Sequence, residues 1–576
     1  MKPSSERTIV IAVDFGTTFS GIAWAQTADP ESHRVINQWP DVSSSSLGGK
    51  SSEKVPSEIA YRYTNSGPES LWGFQIPDCM PRHQWIKLGL VPDRTSGVNS
   101  RFSHISTDCR NVQDTPYHAK PEEIVTDYLR SLRSHTIEVL RSKIGKPFET
   151  MQLAFVITVP AMWPEAAKAK TLSCAEKAGF GETSKIHIIS EPEAAATHAF
   201  KVSNPHGLEV GDTIVLCDAG GGTVDLITFS ILELQPNLRL KEEAPGNGGL
   251  CGGTFLNRKF EELLKARLSS CPGWDRDTLD EALNRFEVAK RSFGGDIRDD
   301  FAFPVPGLAD DPEKEIKRGR IMLSGREMAD IFLPIFQDIL ELVNEQLETS
   351  TQKAKSIFLV GGFGQSPYLR KFLRDNISND INVIQIVDGW TAVVRGALAK
   401  TIASTTSSIP RITVESRVAR KHYGMIMSTP FQPHLHEESK KYWDYFHGDH
   451  RIQVLYWFIQ KGDQIKEGEP IETSWTQKHL ESEGPFHSIS VQMYELDIPI
   501  GAIAPLYFTR KMKKHARLDP NLSQIQKDRI PVVQGKDGEN YYKIDFKIHA
   551  AYFSAHCEYT LWYEDKDHGY VDVRYS

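Results

Sequence analysis

No run of eighteen apolar residues occurs anywhere in the 576-residue sequence, which excludes a membrane-spanning helix. Residues 1–7 lack the long apolar stretch of a secretion signal, and the apolar run that follows at 9–13 has only the length of a strand. The seven cysteines (Cys79, Cys109, Cys174, Cys217, Cys251, Cys271 and Cys557) are odd in number and scattered, without a Cys-x-x-Cys pair. A disulfide framework and a zinc knuckle are therefore not expected, and the thiols read as reduced, in a cytosolic or nuclear protein. Positive charge is in deficit: 67 Lys and Arg against 75 Asp and Glu give a formal charge of −8. General binding to nucleic acid or to an anionic membrane needs a basic surface, so neither is expected. Three nucleotide signatures are missing as well. There is no Gly-x-x-x-x-Gly-Lys-Ser/Thr loop, no Gly-x-Gly-x-x-Gly after the first strand and no protein-kinase motif set.

What the sequence does have is a long-period echo. Thr8-Ile-Val-Ile-Ala-Val-Asp14-Phe-Gly16-Thr17-Thr18 reads as a buried strand, an aspartate and a Gly-Thr turn. Thr213-Ile-Val-Leu-Cys-Asp218-Ala-Gly220-Gly221-Gly222-Thr223 repeats that order of features in the second third of the chain. Each copy is followed by apolar-periodic segments, at 121–145 and 165–178 in the first half and 326–347 in the second. Further buried strands are predicted at 153–159 and 356–360. Strands alternating with helices imply α/β lobes, and two copies imply a duplication. Two segments break the pattern. The serine-rich stretch 42–53 reads as a flexible insertion, and 403–410, polar and ending in Pro410, as a linker. Beyond it, 452–460, 488–496 and 541–563 are rich in aromatic and β-branched residues, so 411–576 reads as a separate, mostly β domain. Its aromatic run 456–458 is expected in that domain's core, and His434, His436, His447 and His450 are expected in solvated loops, since their spacing fits no zinc pattern.

The repeated turns have the chemistry of a phosphate site. Glycines at 16 and 220–222 let backbone amides approach phosphate oxygens, and Thr17, Thr18 and Thr223 add hydroxyl donors. Asp14, Asp218 and Asp225 would be repelled by phosphate, but suit a hydrated Mg²⁺, with Asp14 and Asp218 as the metal carboxylates.

In four ordered segments the chain resembles the seventy-kilodalton heat-shock chaperones. Residues 11–20 are similar to their first phosphate motif and 215–225 to their second. Residues 188–196 (Ile-Ile-Ser-Glu-Pro-Glu-Ala-Ala-Ala) resemble the segment joining the lobes, and 359–367 (Leu-Val-Gly-Gly-Phe-Gly-Gln-Ser-Pro) the adenosine motif. Order and spacing match over roughly 8–402. The resemblance implies duplicated actin-like, ribonuclease H-like ATPase lobes at 8–190 and 191–402, binding ATP or ADP with Mg²⁺. Under it Glu191 would orient the attacking water, Lys87 would be the catalytic lysine, and Thr223 and Asp225 would belong to the reacting end. Phe19, Gly252, Gly253, Thr254, Glu287, Lys290, Arg291, Gly361, Gly362, Phe363 and Gln365 would line the rest of the nucleotide site. The chain departs from the family pattern at Phe363 and Gln365, where Ser and Arg are usual, at Gly294 for Ser, and at Trp390 for an acid. It also shows no helical lid and no acidic tail. The expected function is that of an ATP-binding, weakly hydrolysing, chaperone-like protein with a folded partner or client. A sugar-type kinase of the same superfamily and a non-hydrolysing nucleotide-dependent scaffold are the alternatives.

Overall fold

A computed structural model describes residues 8–43, 49–64, 67–77, 80–91, 120–203, 207–406, 409–484, 489–520, 522, 525 and 530–575. Parts of two predicted features, 44–48 of the serine-rich stretch and 407–408 of the linker, lie outside them, as do Cys79 and Cys109. The cysteines 174, 217, 251, 271 and 557 are free thiols. The chain forms two compact units, Met1–Thr413 and Val414–Ser576.

The first unit is built twice on one plan. In lobe I, β1 (Thr8–Asp14), β2 (Phe19–Gln26) and β3 (Asp29–Val35) form an antiparallel meander, and β4 (Gln152–Val159) and β5 (His187–Ser190) add in parallel beside β1. The spatial order is β5-β4-β1-β2-β3. In lobe II, β6 (Thr213–Ala219), β7 (Val224–Glu233) and β8 (Leu238–Gly249) make the same meander. Parallel β9 (Ala354–Val360) and β10 (Asn382–Gln385) again add beside the first strand. The order β10-β9-β6-β7-β8 is lobe I repeated.

The central strands are apolar without alternation because both faces are covered. Ile9, Ile11 and Val13 of β1 pack into one cluster with Val125, Tyr128, Leu129 and Leu132 of α1 (Pro121–Ile144). Val215, Cys217 and Ala219 of β6 do the same in lobe II against α4 (Thr254–Leu268), α5 (Arg276–Ser292) and α6 (Gly325–Thr349). Helix α6 starts with a capping box between Ser324 and Glu327 and buries Met328, Ile331, Phe332, Ile335, Phe336 and Ile339, the three- and four-residue spacing of one face. Two shorter helices, α2 (Glu165–Lys177) and α7 (Pro367–Asn376), link the parallel strands, and Ser366 with Pro367 supplies the cap and first turn of α7.

The remaining helices are exchanged between the lobes. Helix α3 (Glu191–Ser203) leaves β5 of lobe I and packs against β4 and β5 of lobe I and β6, β7 and β9 of lobe II, whereas α8 (Ala392–Thr405) follows β10 and packs against β1 to β4 of lobe I. They meet face to face, and α3 meets this contact with Ala194, Ala195, Ala196 and Ala199, all buried. The approach is so close that a Cβ on Gly396 of α8 would lie 1.7 Å from the Ala194 carbonyl oxygen. An ion pair between Lys400 and the buried Glu193 lies in the same contact.

The second unit is all β among the described residues, apart from short 3₁₀ turns. One sheet orders Tyr442–Asp444, Asp449–Ile459, His422–Pro430, Val491–Leu496, Lys513–Asp519 and Asp572–Tyr575; the other orders Ile471–Leu480, Asn540–Tyr552, Cys557–Tyr563 and Lys566–Tyr570. Val491, Met493, Ala516 and Leu518 of the first sheet share a core with Ile544, Phe546, Ile548 and Leu561 of the second, which makes a sandwich. Tyr456 is not in that core: strand alternation turns it outward, 47% exposed.

The helix crossing yields a stability prediction. Because the obstacle at Gly396 is backbone, Gly396→Val should force α3 and α8 apart and destabilise the first unit by about 1–3 kcal/mol, as overpacking does. Denaturant unfolding should show a lower midpoint with an unchanged slope. An unchanged midpoint would mean that the crossing is loose.

Candidate nucleotide-binding site

Both phosphate turns sit where the first strand of a meander ends. In lobe I, β1 ends at Asp14 and the turn is pinned from one side by Ser57. The Ser57 hydroxyl donates to the Gly16 carbonyl (2.7 Å), its amide to the Thr18 carbonyl (2.8 Å), and its Oγ lies 2.9 Å from Ser20 Oγ. Gly16 is required by space: a Cβ there would lie 2.2 Å from the Phe19 carbonyl oxygen. In lobe II the amides of Gly252, Gly253 and Thr254 donate to the carbonyls of Gly222, Gly220 and Gly221 at 3.3, 3.0 and 2.9 Å. The 220–223 turn is thereby held by its carbonyls. The amides of Gly221 and Gly222 have no backbone acceptor among the described residues, which suits them to an anion. The turns face each other, since a Cβ on Gly221 would lie 2.1 Å from Thr18 Oγ1 and one on Gly222 2.7 Å from Thr17 Cγ2. Gly361, at φ +81°, closes the floor against the Asp218 carboxylate and the Ala219 carbonyl, each 2.4 Å from where its Cβ would be.

Charged groups converge on these turns. Asp218 of β6 and Asp225 of β7 are register partners. Glu191 opens α3 and forms an ion pair with Lys87, which is nearly fully buried. Lys87 lies on a 3₁₀ turn, Ile86–Leu90, with its ammonium 5.3 Å from the Trp163 ring centroid and 5.8 Å from that of Phe15. Trp85, just before it, is left-handed (φ 54°), and the Arg258 guanidinium of lobe II lies 4.1 Å from its ring centroid. Burial pushes the Glu191 carboxyl up, against the pull of Lys87 and with further upward pressure from Asp14 and Asp225. Asp218 is raised to about 8, first by burial and then by the charges of Glu191 and Asp225. A second lysine, Lys54, places its ammonium 2.6 Å from Asp14 Oδ2.

Asp218 beside Asp225 offers hard oxygen ligands, a cation would relieve the raised proton affinity of Asp218, and Mg²⁺ favours few carboxylates with several waters. No group of three or more acidic, His or Cys side chains able to hold a metal ion occurs among the described residues. The pair Asp218 and Asp225 fits. Asp14, the other carboxylate expected at the metal, pairs with Lys54.

Among the residues expected to line the nucleoside, Lys290 of α5 donates to Glu287 Oε1 (2.6 Å), Asn257 Oδ1 (2.7 Å) and the Gly253 carbonyl (3.2 Å), which ties α5 to the start of α4. Arg291 lies with its guanidinium 5.8 Å from the Trp390 ring centroid, and Trp390 meets Phe19 of lobe I edge-on at 5.9 Å. Gly362 packs on the same indole, so that a Cβ there would be 3.0 Å from Trp390 Cδ1. Phe363, in the same turn, also lies against Gly253, where a Cβ would be 3.4 Å from its ring. Phe363 belongs to the lobe II core, 6.0 Å from the Phe336 centroid, and Gln365 donates to the Ile386 carbonyl at 3.3 Å.

Residues 98–409 match the model of the family described as Hsp70 protein, more than half of the chain. The chain belongs to the Hsp70 family. It is similar to heat shock 70 kDa protein 12A of Mus musculus, 24% identical over 479 residues that cover 68% of this chain and 69% of the relative. Heat shock 70 kDa protein 12B of Homo sapiens is 23% identical over 483 residues, 68% of each chain. Chaperone protein DnaK of Thermosipho africanus is 25% identical over 393 residues, covering 66% of this chain and 56% of its own. Residues 417–556 match a domain of unknown function, DUF8568. This is a divergent, nucleotide-binding Hsp70-like protein, with the duplicated lobes of that fold. No helix among the described residues is long and apolar enough to cross a membrane.

In this Hsp70 chain the structure brings together Asp14, Gly16, Thr17, Thr18, Gly220–Thr223, Gly252–Thr254, Lys87 and Glu191, and joins Glu287, Lys290, Arg291 and Gly362 to Trp390. Sequence reasoning missed Lys54, Asn257 and Ser57. Lys54 had no visible signal beyond its place two residues before Pro56. Asn257 and Lys290 carry complementary polar groups on separate helices, which no local spacing connects. A substitution tests the turn contact: Gly221→Val must displace Thr18 and crowd the amides. It should abolish the rise in melting temperature that ATP gives the parent, while the ligand-free melting temperature stays within a few degrees. ATP stabilisation equal to the parent's would exclude the 220–223 turn from the site.

Proposed function

We propose that the first unit binds ATP and Mg²⁺ between its lobes and hydrolyses ATP slowly, and that the lobes close around the nucleotide. The observation that supports this reading is the Lys87–Glu191 ion pair, with Asp14 and Asp225 near enough to act on the Glu191 carboxyl. A carboxylate held there can align water for in-line attack, and the lysine beside it can stabilise charge on the transferred phosphoryl group. Asp218 and Asp225 would hold the ion with its waters, and the ion would neutralise phosphate charge. The Gly221 and Gly222 amides and Thr17, Thr18 and Thr223 would donate to the phosphates, while Trp390, Arg291 and the Glu287–Lys290 network border the nucleoside. A sugar-type kinase would need a further aspartate to take a proton from the acceptor alcohol. Each cleft aspartate described here is instead beside another charged group at the phosphate end.

The test separates binding from chemistry. Glu191→Gln should retain ATP affinity within about threefold yet slow phosphate release by about 10²-fold or more, the range of a lost acid–base or positioning group. A variant as active as the parent would reduce Glu191 to the N-terminal acid of α3.

For the second unit we infer a role in contacting a folded protein partner. The support is architectural. Its two sheets already cover one another's apolar faces, and no α-helix among its described residues could cover a peptide groove. Labelled extended heptapeptides should therefore bind the whole protein weakly and with the same affinity in ATP and ADP. Tight binding that ATP weakens tenfold, a coupling of about 1.4 kcal/mol, would restore peptide capture.

A further inference from the structure

Lys54 is the feature of the phosphate end that the family resemblance did not foretell. It is 7% exposed, and Asp14, its partner, is 4% exposed. The pair is positioned by the fold and not by a flexible side chain. Val55 and Pro56 form a short strand paired with Ser20 and Phe19 of β2, and Ser57 pins the Gly16–Thr18 turn beside it. The aliphatic stem runs over Gly21 of β2, where a Cβ would lie 3.3 Å from Lys54 Cγ and 3.6 Å from Val394 of α8. The other Asp14 oxygen accepts from Thr158 Oγ1 at 3.3 Å. Both oxygens of Asp14 are thus engaged inside the protein.

Charge at this end argues in the same direction. Four acids, Asp14, Asp218, Asp225 and Glu191, face two lysines, Lys54 and Lys87, and each lysine is in contact with one acid. Were Lys54 neutral, Asp14 would be a buried carboxylate without a cation and would repel an incoming phosphate unless a metal ion entered. With Lys54 in place that charge is already cancelled. Removing Lys54 from Asp14 to admit a metal ion would strand a buried ammonium, and breaking a buried pair on one side is strongly unfavourable.

We propose that Lys54 is a resident counter-cation of the phosphate site, which does at Asp14 what a divalent ion would otherwise do, so that nucleoside di- and triphosphates bind this chain with little dependence on Mg²⁺. The proposal rests on the nucleotide-site reading above, and it assigns any bound ion to the Asp218–Asp225 side alone.

The experiment is a calorimetric titration of the full chain with ATP and with ADP, in excess Mg²⁺ and in EDTA. The parent should bind each nucleotide in EDTA within about threefold of its affinity in Mg²⁺. Lys54→Met, which keeps the stem and removes the charge, should lose about tenfold or more in EDTA, about 1.4 kcal/mol, and regain it when Mg²⁺ is supplied. Lys54→Arg, which keeps the charge, should behave as the parent does. If the parent binds in Mg²⁺ but loses more than tenfold in EDTA, the lysine yields to the ion and the proposal is overturned, with the nucleotide site intact. If no nucleotide binds in either buffer, the site reading fails and this proposal with it. Should Lys54→Met not fold, parent affinity measured against free Mg²⁺ decides alone: a flat response supports the lysine, a steep one overturns it.

Discussion

Everything in the first unit hangs on two helices that pack on the opposite lobe's sheet. Helix α3 touches strands of both sheets, and α8, which follows β10 of lobe II, packs on β1 to β4 of lobe I, so the two helices join the lobes. The crossing brings the Gly396 Cα against the Ala194 carbonyl, a backbone-to-backbone contact that no rotamer change can relieve. Glu191 is the first residue of α3, three positions before that contact. The position of that carboxylate is therefore set by helix packing, and under the proposed function its chemistry would inherit the rigidity of the crossing.

The second constraint is electrostatic. Duplicating a strand that ends in aspartate places Asp14 and Asp218 at the ends of two strands whose turns touch, and their meander partners add Asp225 and, through α3, Glu191. An arrangement so rich in acid is stable only with cations nearby. The chain supplies two of its own, from segments that belong to neither copy of the repeat: Lys54 from the short strand Val55–Pro56's approach and Lys87 from the 3₁₀ turn. The repeat makes the problem, and the insertions answer it.

That division explains what could be read in advance. The phosphate turns were legible because their chemistry is backbone chemistry: glycine is needed where a Cβ would strike Phe19, Thr18 or Asp218, and the residue type alone reports it. The buried strands and the α6 stripe were legible from apolar pattern. Side chains that work across long sequence distances were not. Lys54 meets Asp14 40 residues away, and Asn257 meets Lys290 33 residues away. Phe363 and Gln365 were counted among nucleotide-lining residues through their positions in the motif. Phe363 packs in the lobe II core and against Gly253, and Gln365 donates to the Ile386 carbonyl. A motif fixes the path of the backbone more firmly than the direction of each side chain along it.

The stacking of Arg258 on Trp85 spans the two lobes two residues from Lys87, on the same strained turn. Separating the lobes at that point must part a guanidinium from an aromatic face, a contact worth about 0.5–1 kcal/mol when exposed. The same turn carries Lys87, so under the function proposed above a substitution at Arg258 or Trp85 would be felt both at this contact between the lobes and at the Lys87–Glu191 pair.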